Sequence, residues 1–271
     1  SDDEKKTLFA WIDAGTPEGP AKNEQALEDD AVPVSVVRAD MVFDAADAAY
    51  EPRFQDEYRC YAIAVPDAPL HDHLYTIYAA SRSGGLWKTT NAGTTWTNMT
   101  AGVGAAAVGA VAIAPSNPNI VWMGTGDQAN TGSSYSGKGV YKSTDAGATW
   151  QFMGLPDSQH IARIVIHPRN PDIVYVAAMG HLFSKNAERG VFRTTDGGRT
   201  WKKVLYVNGG VGAIDLAIDL RKPSVLYAAM YDKERLPWQI VESGPESGIY
   251  RTDDGGDRWR RLAGGLPTGK I

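Results

Sequence analysis

The sequence predicts an all-β chain folded as a β-propeller of four-stranded antiparallel blades, and three observations carry that prediction. One eight-residue stretch occurs four times, as TTNAGTTW (residues 89–96), STDAGATW (143–150), TTDGGRTW (194–201) and TDDGGDRW (252–259). Its closing tryptophans, Trp96, Trp150, Trp201 and Trp259, stand 54, 51 and 58 residues apart, and a recurring period of that size signals repeat architecture. Each period holds four short strand-like segments, the content of one propeller blade.

The repeat explains itself locally. Just before the four copies stand GLWKT, GVYKS, GVFRT and GIYRT, short alternating segments with an aromatic third residue and a basic fourth. Inside the copies, Asn91, Asp145, Asp196 and Asp254 are each followed two residues later by Gly93, Gly147, Gly198 and Gly256. A short acid or amide bonds its own following backbone, and glycine tolerates positive φ. Each copy therefore reads as a hairpin whose tip bonds to itself and whose tryptophan lids the turn, a structural role. A second signature precedes each copy: AVAIAPSNPNIVWMG (110–124), RIVIHPRNPDIVYVA (163–177), DLAIDLRKPSVLYAA (215–229) and, more weakly, YAIAVPDAPLHDHLYTIYAA (61–80). Each is an apolar strand, a proline or asparagine turn and a second apolar strand.

In chain order, residues 1–58 lack the repeat. Residues 3–14 read as a helix, with acids at its start and Leu8, Phe9, Trp11 and Ile12 on one face. Gly15, Thr16 and Pro17 end it, and the rest of the segment reads as extended or irregular. The propeller is assigned to residues 59–271. Its strands are expected at 59–65, 74–80, 85–90 and 95–99 in blade one, and at 107–114, 120–125, 138–144 and 149–153 in blade two. Blade three takes 161–167, 173–179, 190–195 and 200–207; blade four takes 212–218, 225–231, 248–253 and 258–262. Four blades is the lower end of what closes a ring, and the final GGLPTGKI reads as a run-up to another strand, so an incomplete ring is expected. An open blade edge would offer a surface for self-association.

These four copies resemble the Asp-box, or BNR repeat, found in sialidases, sortilin-type receptors and xyloglucan hydrolases. The longer stretches DSQHIARIVIHPRNPDIVYVAAMGHLF and RGVFRTTDGGRTWKKVLYV are similar to bacterial secreted proteins of the sortilin-like type. The resemblance covers about residues 74–271. It implies a propeller fold and a secreted or periplasmic location. Activity is left open, because the same repeat serves hydrolases, receptors and assembly factors, including propellers of photosystem maturation. Near the amino terminus, EKKTLFAWIDAGTPEGP resembles the last helix of small c-type cytochrome domains, and DEYRCYAIAVPDAP the start of copper-dependent, ascorbate-type monooxygenase domains. The C-x-x-C-H haem attachment is absent, and no histidine pair with copper spacing follows.

Composition narrows the classes further. A net charge of −5 argues against a nucleic acid or anionic membrane partner. Cys60 is the one cysteine in the sequence, so no intrachain disulfide forms and no cysteine cluster holds a metal. The longest apolar run, around residues 103–114, is too short to cross a membrane. The chain begins at Ser1 with no signal peptide in view, which reads as a processed or trimmed product. His71 and His73 form the one dense histidine cluster, and a lone H-x-H on a turn usually solvates. No cofactor and no metal are expected.

Topology locates the candidate site. In an antiparallel blade the Asp-boxes and the proline turns lie on one face, and the loops at 126–137, 180–190 and 232–248 lie on the other. Polar loops on a rigid scaffold are where function concentrates. The candidate ligand-binding residues there are Asp127, Gln128, His160, Arg163, His181, Glu188, Arg189, Arg235 and Trp238, with Tyr135, Asp157, Gln159 and Glu242 nearby. Acids, arginines and an exposed tryptophan suit a glycan or a protein ligand, so a non-catalytic binding or scaffold propeller is the first expectation. A glycoside hydrolase is the alternative, with Asp127, Glu188, Asp232 and Glu234 as candidate catalytic acids, since that chemistry needs two carboxylates across a cleft. The arginine triad and R-I-P start of sialidases are not seen. A dedicated assembly factor is the third reading.

Overall fold

The computed structural model describes residues 59–62, 76–91, 93–104, 107–127, 134–236, 238–241 and 244–263. The helix expected at 3–14, the segment boundary at 58, His71, His73, Gln128 and Glu242 lie outside the described residues. Within them the chain is all-β, in four antiparallel four-stranded sheets that follow one another in sequence.

Blade one comprises β1 (Arg59–Ala62), β2 (Ile77–Ser81), β3 (Gly85–Thr89) and β4 (Thr97–Asn98). Blade two comprises β5 (Val108–Ala114), β6 (Asn117–Thr125), β7 (Val140–Ser143) and β8 (Gln151–Phe152). Blade three follows with β9 (Ile161–Ile166), β10 (Val174–Ala178), β11 (Gly190–Thr194) and β12 (Lys202–Leu205). Blade four has β13 (Val211–Ile218), β14 (Leu226–Asp232), β17 (Gly248–Thr252) and β18 (Arg260–Arg261), with a separate hairpin, β15 (Glu234–Leu236) and β16 (Gln239–Val241), inserted between its second and third strands. The segment 232–248, expected to be plain loop, thus contains ordered strands. Their pairing sets Arg235 opposite Ile240 and Leu236 opposite Gln239.

Burial follows the radial plan. The second strand of blade three, VYVAA, is buried at every position because sheets cover both its faces, which is why it reads as a continuous apolar run. The fourth strands are short and their residues Gln151, Phe152, Arg260 and Arg261 are exposed. β5 packs on β9 and β9 on β13, so the first strands of blades two, three and four lie side by side. Gly109 permits one of these approaches: a Cβ there would stand 2.3 Å from the carbonyl oxygen of Ile161.

Three apolar clusters fill the joins between successive blades. Tyr78 and Leu86 meet Val108, Val121 and Met123 between blades one and two. Trp122 and Val140 meet Ile161, Ile164 and Val176 between blades two and three. Tyr175, Ala177 and Val191 meet Val211, Leu216 and Leu226 between blades three and four. Each fully buried large side chain contributes about 1.5–3 kcal/mol. Among the described residues, none of the three clusters joins blade four to blade one.

Candidate functional site

The Asp-boxes are built around a buried hydroxyl. Thr89, Ser143, Thr194 and Thr252, each 1% exposed, open the four copies. In the third box Thr194 Oγ1 donates to Asp196 Oδ1 at 2.7 Å and accepts from the amides of Asp196 and Gly198 at 3.3 and 2.9 Å. Asp196 then closes the turn by accepting from the amide and hydroxyl of Thr200 at 2.9 and 2.6 Å. The other three hydroxyls make the same triple contact. In the second, third and fourth boxes two residues at the tip take positive φ, as in Gly197 and Gly198 at 72° and 97°. Ala146 does so at 56°, a conformation that costs a non-glycine about 1–2 kcal/mol. These bonds favour the charged carboxylate. The hydroxyl and amide of Thr149, with the Ser143 hydroxyl, pull the Asp145 pKa down to about 2, and Asp196 and Asp254 are lowered by equivalent donors.

The boxes also tie neighbouring blades together. Each blade sets an aromatic residue on its second strand directly opposite a cation on its third: Tyr78 with Lys88, Trp122 with Lys142, Tyr175 with Arg193, and Tyr227 with Arg251. The next blade's box tip lands on this pair. Tyr78 Oη and Lys88 Nζ both donate to the Ala146 carbonyl at 2.8 Å. Lys142 Nζ reaches the Gly197 carbonyl at 3.3 Å. Tyr175 Oη and Arg193 Nη1 hold the Gly255 carbonyl at 2.8 and 2.7 Å. In return, the box indoles bond backward: Trp150 Nε1 donates to Met99 O at 2.9 Å, and Trp201 Nε1 to Met153 O at 2.7 Å. The tryptophan is thus a staple between blades as well as a lid on its own turn. Trp259 differs, donating to Gly256 O of its own box at 3.2 Å. The basic fourth residue of each strand signature was visible in the sequence; its bond to the next box depends on blade stacking, which period-two patterning does not encode.

On the long-loop face several expected site residues are engaged by the fold. Asp127 is 1% exposed. Arg82, absent from the sequence-based candidates, pairs with it through Nε at 2.9 Å and Nη2 at 2.7 Å. The Asp127 carbonyl faces His160 Nδ1 at 2.9 Å, so that nitrogen carries the proton, and burial lowers the His160 pKa. Arg189 is also 1% exposed. Its guanidinium donates to the carbonyls of Gly210, Lys233, His181 and Ser184, clamping three loop segments together. Burial lowers the Arg189 pKa, and the charges of Glu234 and Asp232 oppose that shift. Asp127, His160 and Arg189 are therefore anchors of the loop frame, which leaves their side chains little surface for a ligand.

The remaining candidates are more open. His181 Nε2 lies 2.9 Å from the Asp157 carbonyl, Glu188 is half-buried, and Arg163 pairs with Asp215 at 2.7 Å between β9 and β13. Trp238, in the turn of the inserted hairpin, is 78% exposed. Arg235 stacks on Phe183 at 5.3 Å from the ring centroid, and its amide bonds to the Leu182 carbonyl at 3.3 Å. Phe183 and Ile240 are exposed. Phe183, Arg235 and Ile240 thus form a continuous patch on two adjoining loops, with Trp238 beside it on the hairpin turn. Neither Phe183 nor Ile240 figured among the sequence-based candidates, because single apolar residues in loops carry no periodic signal. Among the described residues no three His, Cys, Asp or Glu side chains gather as a metal site, and no helix is long and apolar enough to cross a membrane.

Four-stranded blades joined through Asp-box staples define an Asp-box β-propeller. The Sortilin-Vps10 family (sortilin, neurotensin receptor 3) matches residues 84–237 and 138–267, and the chain belongs to that family. A xyloglucanase of Paenibacillus sp is 29% identical over 217 residues, covering 72% of this chain and 20% of that protein. A xyloglucanase of Hypocrea jecorina is 30% identical over 141 residues, covering 47% and 16% respectively. The chain thus spans about a fifth of the length of the curated relatives it matches. Among solved structures, an ancestral GH74 enzyme superposes with a TM-score of 0.53 at 22% identity, over 70% of this chain and 23% of that one. The GH74 xyloglucanase from Xanthomonas campestris gives 0.50 at 18% identity, over 69% and 28%. These structural likenesses establish the shared propeller fold.

Proposed function

We propose that this chain is a non-catalytic, extracytoplasmic binding propeller that takes an extended glycan of the xyloglucan type on the loop face of blades three and four. The observation that carries this reading is the exposed patch of Phe183, Arg235 and Ile240 beside Trp238, held on an ordered hairpin rather than a slack loop. Aromatic faces cover the apolar face of a sugar ring, and a cation fixed over an aromatic ring, a contact of about 0.5–1 kcal/mol, is oriented toward hydroxyls. Relatives named as xyloglucanases support the glycan class. The propeller is assigned to residues 59–271, with 1–58 as a separate segment.

Calorimetric titration with xyloglucan oligosaccharides tests the proposal. Trp238→Ala and Phe183→Ala are each expected to weaken binding tenfold or more, with thermal stability unchanged. Absence of binding by the parent chain, or binding indifferent to both variants, would remove the reading. A protein ligand on the same face would instead appear in a pull-down sensitive to the same substitutions.

The names of the relatives favour a second reading, a glycoside hydrolase of the same propeller type. It needs two carboxylates about 5–10 Å apart across the scissile bond. Asp127 is committed to Arg82, which leaves Glu188, Asp232 and Glu234 on the rim. Release of reducing sugar from xyloglucan, lost in Glu188→Gln or Glu234→Gln, would favour hydrolysis; a flat assay across polysaccharides would end it.

A further inference from the structure

We propose that Asn208 and Gly209 form a self-modifying site: the Gly209 nitrogen closes on the Asn208 side chain, and the aspartate or isoaspartate that results loosens the loop frame held by Arg189. Three pairs of an acid or its amide followed by glycine offer this chemistry in the sequence, Asp196–Gly197, Asn208–Gly209 and Asp254–Gly255. Glycine leaves its backbone nitrogen open to close approach, because it carries no Cβ. The structure separates the three pairs.

In the two box pairs the nucleophile is already engaged. The Gly197 amide donates to the Asp172 carbonyl at 3.0 Å, and the Gly255 amide to the Ser224 carbonyl at 2.8 Å. Both carboxylates are held ionised by neighbouring donors, Asp196 by Thr194 and Thr200 and Asp254 by Thr252 and the Arg258 amide. An ionised carboxylate resists attack at its carbon.

The third pair is open on both counts. Asn208 is exposed, and the Gly209 amide makes no hydrogen bond among the described residues. The chain turns there, with the Val211 amide donating to the Asn208 carbonyl at 3.2 Å. Asn208 Oδ1 accepts from the Gly210 amide at 2.7 Å, which folds the neutral carboxamide back over the intervening Gly209 peptide. Base from the solvent removes the Gly209 amide proton, and the nitrogen lone pair bonds to Asn208 Cγ. The negative charge developing on Oδ1 lies against the Gly210 N–H, a donor placed as in an oxyanion hole. Collapse breaks the Cγ–Nδ2 bond, and Nδ2 leaves as ammonia with a proton taken from water. The five-membered succinimide left behind is opened by water at either carbonyl. Breaking the Cγ–N bond gives aspartate; breaking the bond from the backbone carbonyl carbon gives isoaspartate, whose main chain runs through Cβ and Cγ. One water is consumed and one ammonia released, with no change of oxidation state.

What this turn holds sets the consequence. The Gly209 carbonyl accepts from the Asn186 amide at 3.0 Å, and the Gly210 carbonyl accepts from the Lys233 amide and the Arg189 guanidinium. Isoaspartate lengthens the main chain by one atom just ahead of both carbonyls. They move out of register with Asn186 and Arg189, and the clamp on residues 180–190 slackens.

Ageing the folded parent chain in mildly alkaline buffer provides the test. Peptide mass spectrometry, with an isoaspartyl-specific methyltransferase as the second probe, should find isoaspartate at position 208 forming at least tenfold faster than at 196 or 254, and faster as the pH rises. Gly209 lies outside the left-handed region, and Gly209→Ala should slow the reaction at least tenfold by crowding the nitrogen. Asn208→Ser keeps an oxygen for the Gly210 amide and should abolish it; this variant carries the test if Gly209→Ala misfolds. Protease cutting within 180–190 should rise in step with isoaspartate in the parent and stay at its starting level in Asn208→Ser. An unmodified position 208, or isoaspartate at 196 or 254 forming as fast, would overturn the site. Aged protein as resistant to protease as fresh protein would overturn its link to the Arg189 clamp.

Discussion

Replacing Thr194 by valine removes one hydroxyl and keeps nearly the same shape, and the box geometry sets the cost. Thr194 Oγ1 makes three hydrogen bonds from a position 1% exposed. Asp196 is only partly buried and keeps both bonds from Thr200, so its share of the loss is small. The Gly198 amide is different: its residue is buried and takes positive φ, and its acceptor is the Thr194 hydroxyl that the substitution removes. Stranding one buried donor costs about 1–3 kcal/mol, and losing the neutral bond to the Asp196 amide adds about 0.5 kcal/mol. The expected total is about 2–3 kcal/mol. Urea unfolding followed by tryptophan fluorescence reads this directly, with Thr200→Val as the control. Thr200 is exposed, and its loss is expected to cost under about 1 kcal/mol. A Thr194→Val cost no larger than that of Thr200→Val would refute the claim that the buried hydroxyl organises the box.

Three further outcomes follow from the same geometry. Asp145 has its folded-state pKa lowered from 3.8 to about 2, with Asp196 and Asp254 also lowered, so their contribution to stability is present above about pH 4 and fades as the pH falls toward 2. Unfolding midpoints measured from pH 5 to pH 2 should drop, and Asp145→Asn should flatten part of that fall; an unchanged acid limb would contradict it. Trp201→Phe loses the bond to Met153 O and the edge contact with Trp122 at 5.9 Å, an expected cost of about 2 kcal/mol. Trp259→Phe, whose bond stays within its own box, should cost under about 1 kcal/mol by the same denaturation assay. Arg189→Met strips the donor from four carbonyls; it is expected to destabilise by about 3 kcal/mol and to open residues 180–190 to protease. An undiminished resistance to nicking would count against the clamp.

Much of the scaffold is legible in the sequence because its determinants are local. The strand signatures place β3, β7, β11 and β17 within a residue or two, since each ends at a box whose hydroxyl, acid and glycine act within eight residues. The paired apolar runs likewise locate β9 with β10 and β13 with β14, where Pro/Asn-type turns separate them. The inserted hairpin β15–β16 escapes that reading: ERLPWQIV carries Pro237 in its middle and no alternation, and its support is a tertiary bond from Arg235 to the Leu182 carbonyl. The long-loop face is the less legible part for a related reason. Asp127, His160 and Arg189 have the residue types of a site, yet several of their partners, Arg82, the Asp127 carbonyl and the Lys233 carbonyl, come from segments 33 to 45 residues away. Phe183 and Trp238 look alike in sequence as loop aromatics, and stacking on Arg235 is what enlists Phe183.

The central claim is that blades one, two and three are stapled by box indoles donating backward to the preceding blade's carbonyl. Hydrogen exchange at the tryptophan indole N–H groups, read residue by residue by nuclear magnetic resonance, tests it most directly. Trp150 and Trp201 should exchange slowly, while Trp238 exchanges at a rate close to that of a free indole. Trp150 and Trp201 exchanging as fast as Trp238 would contradict the account.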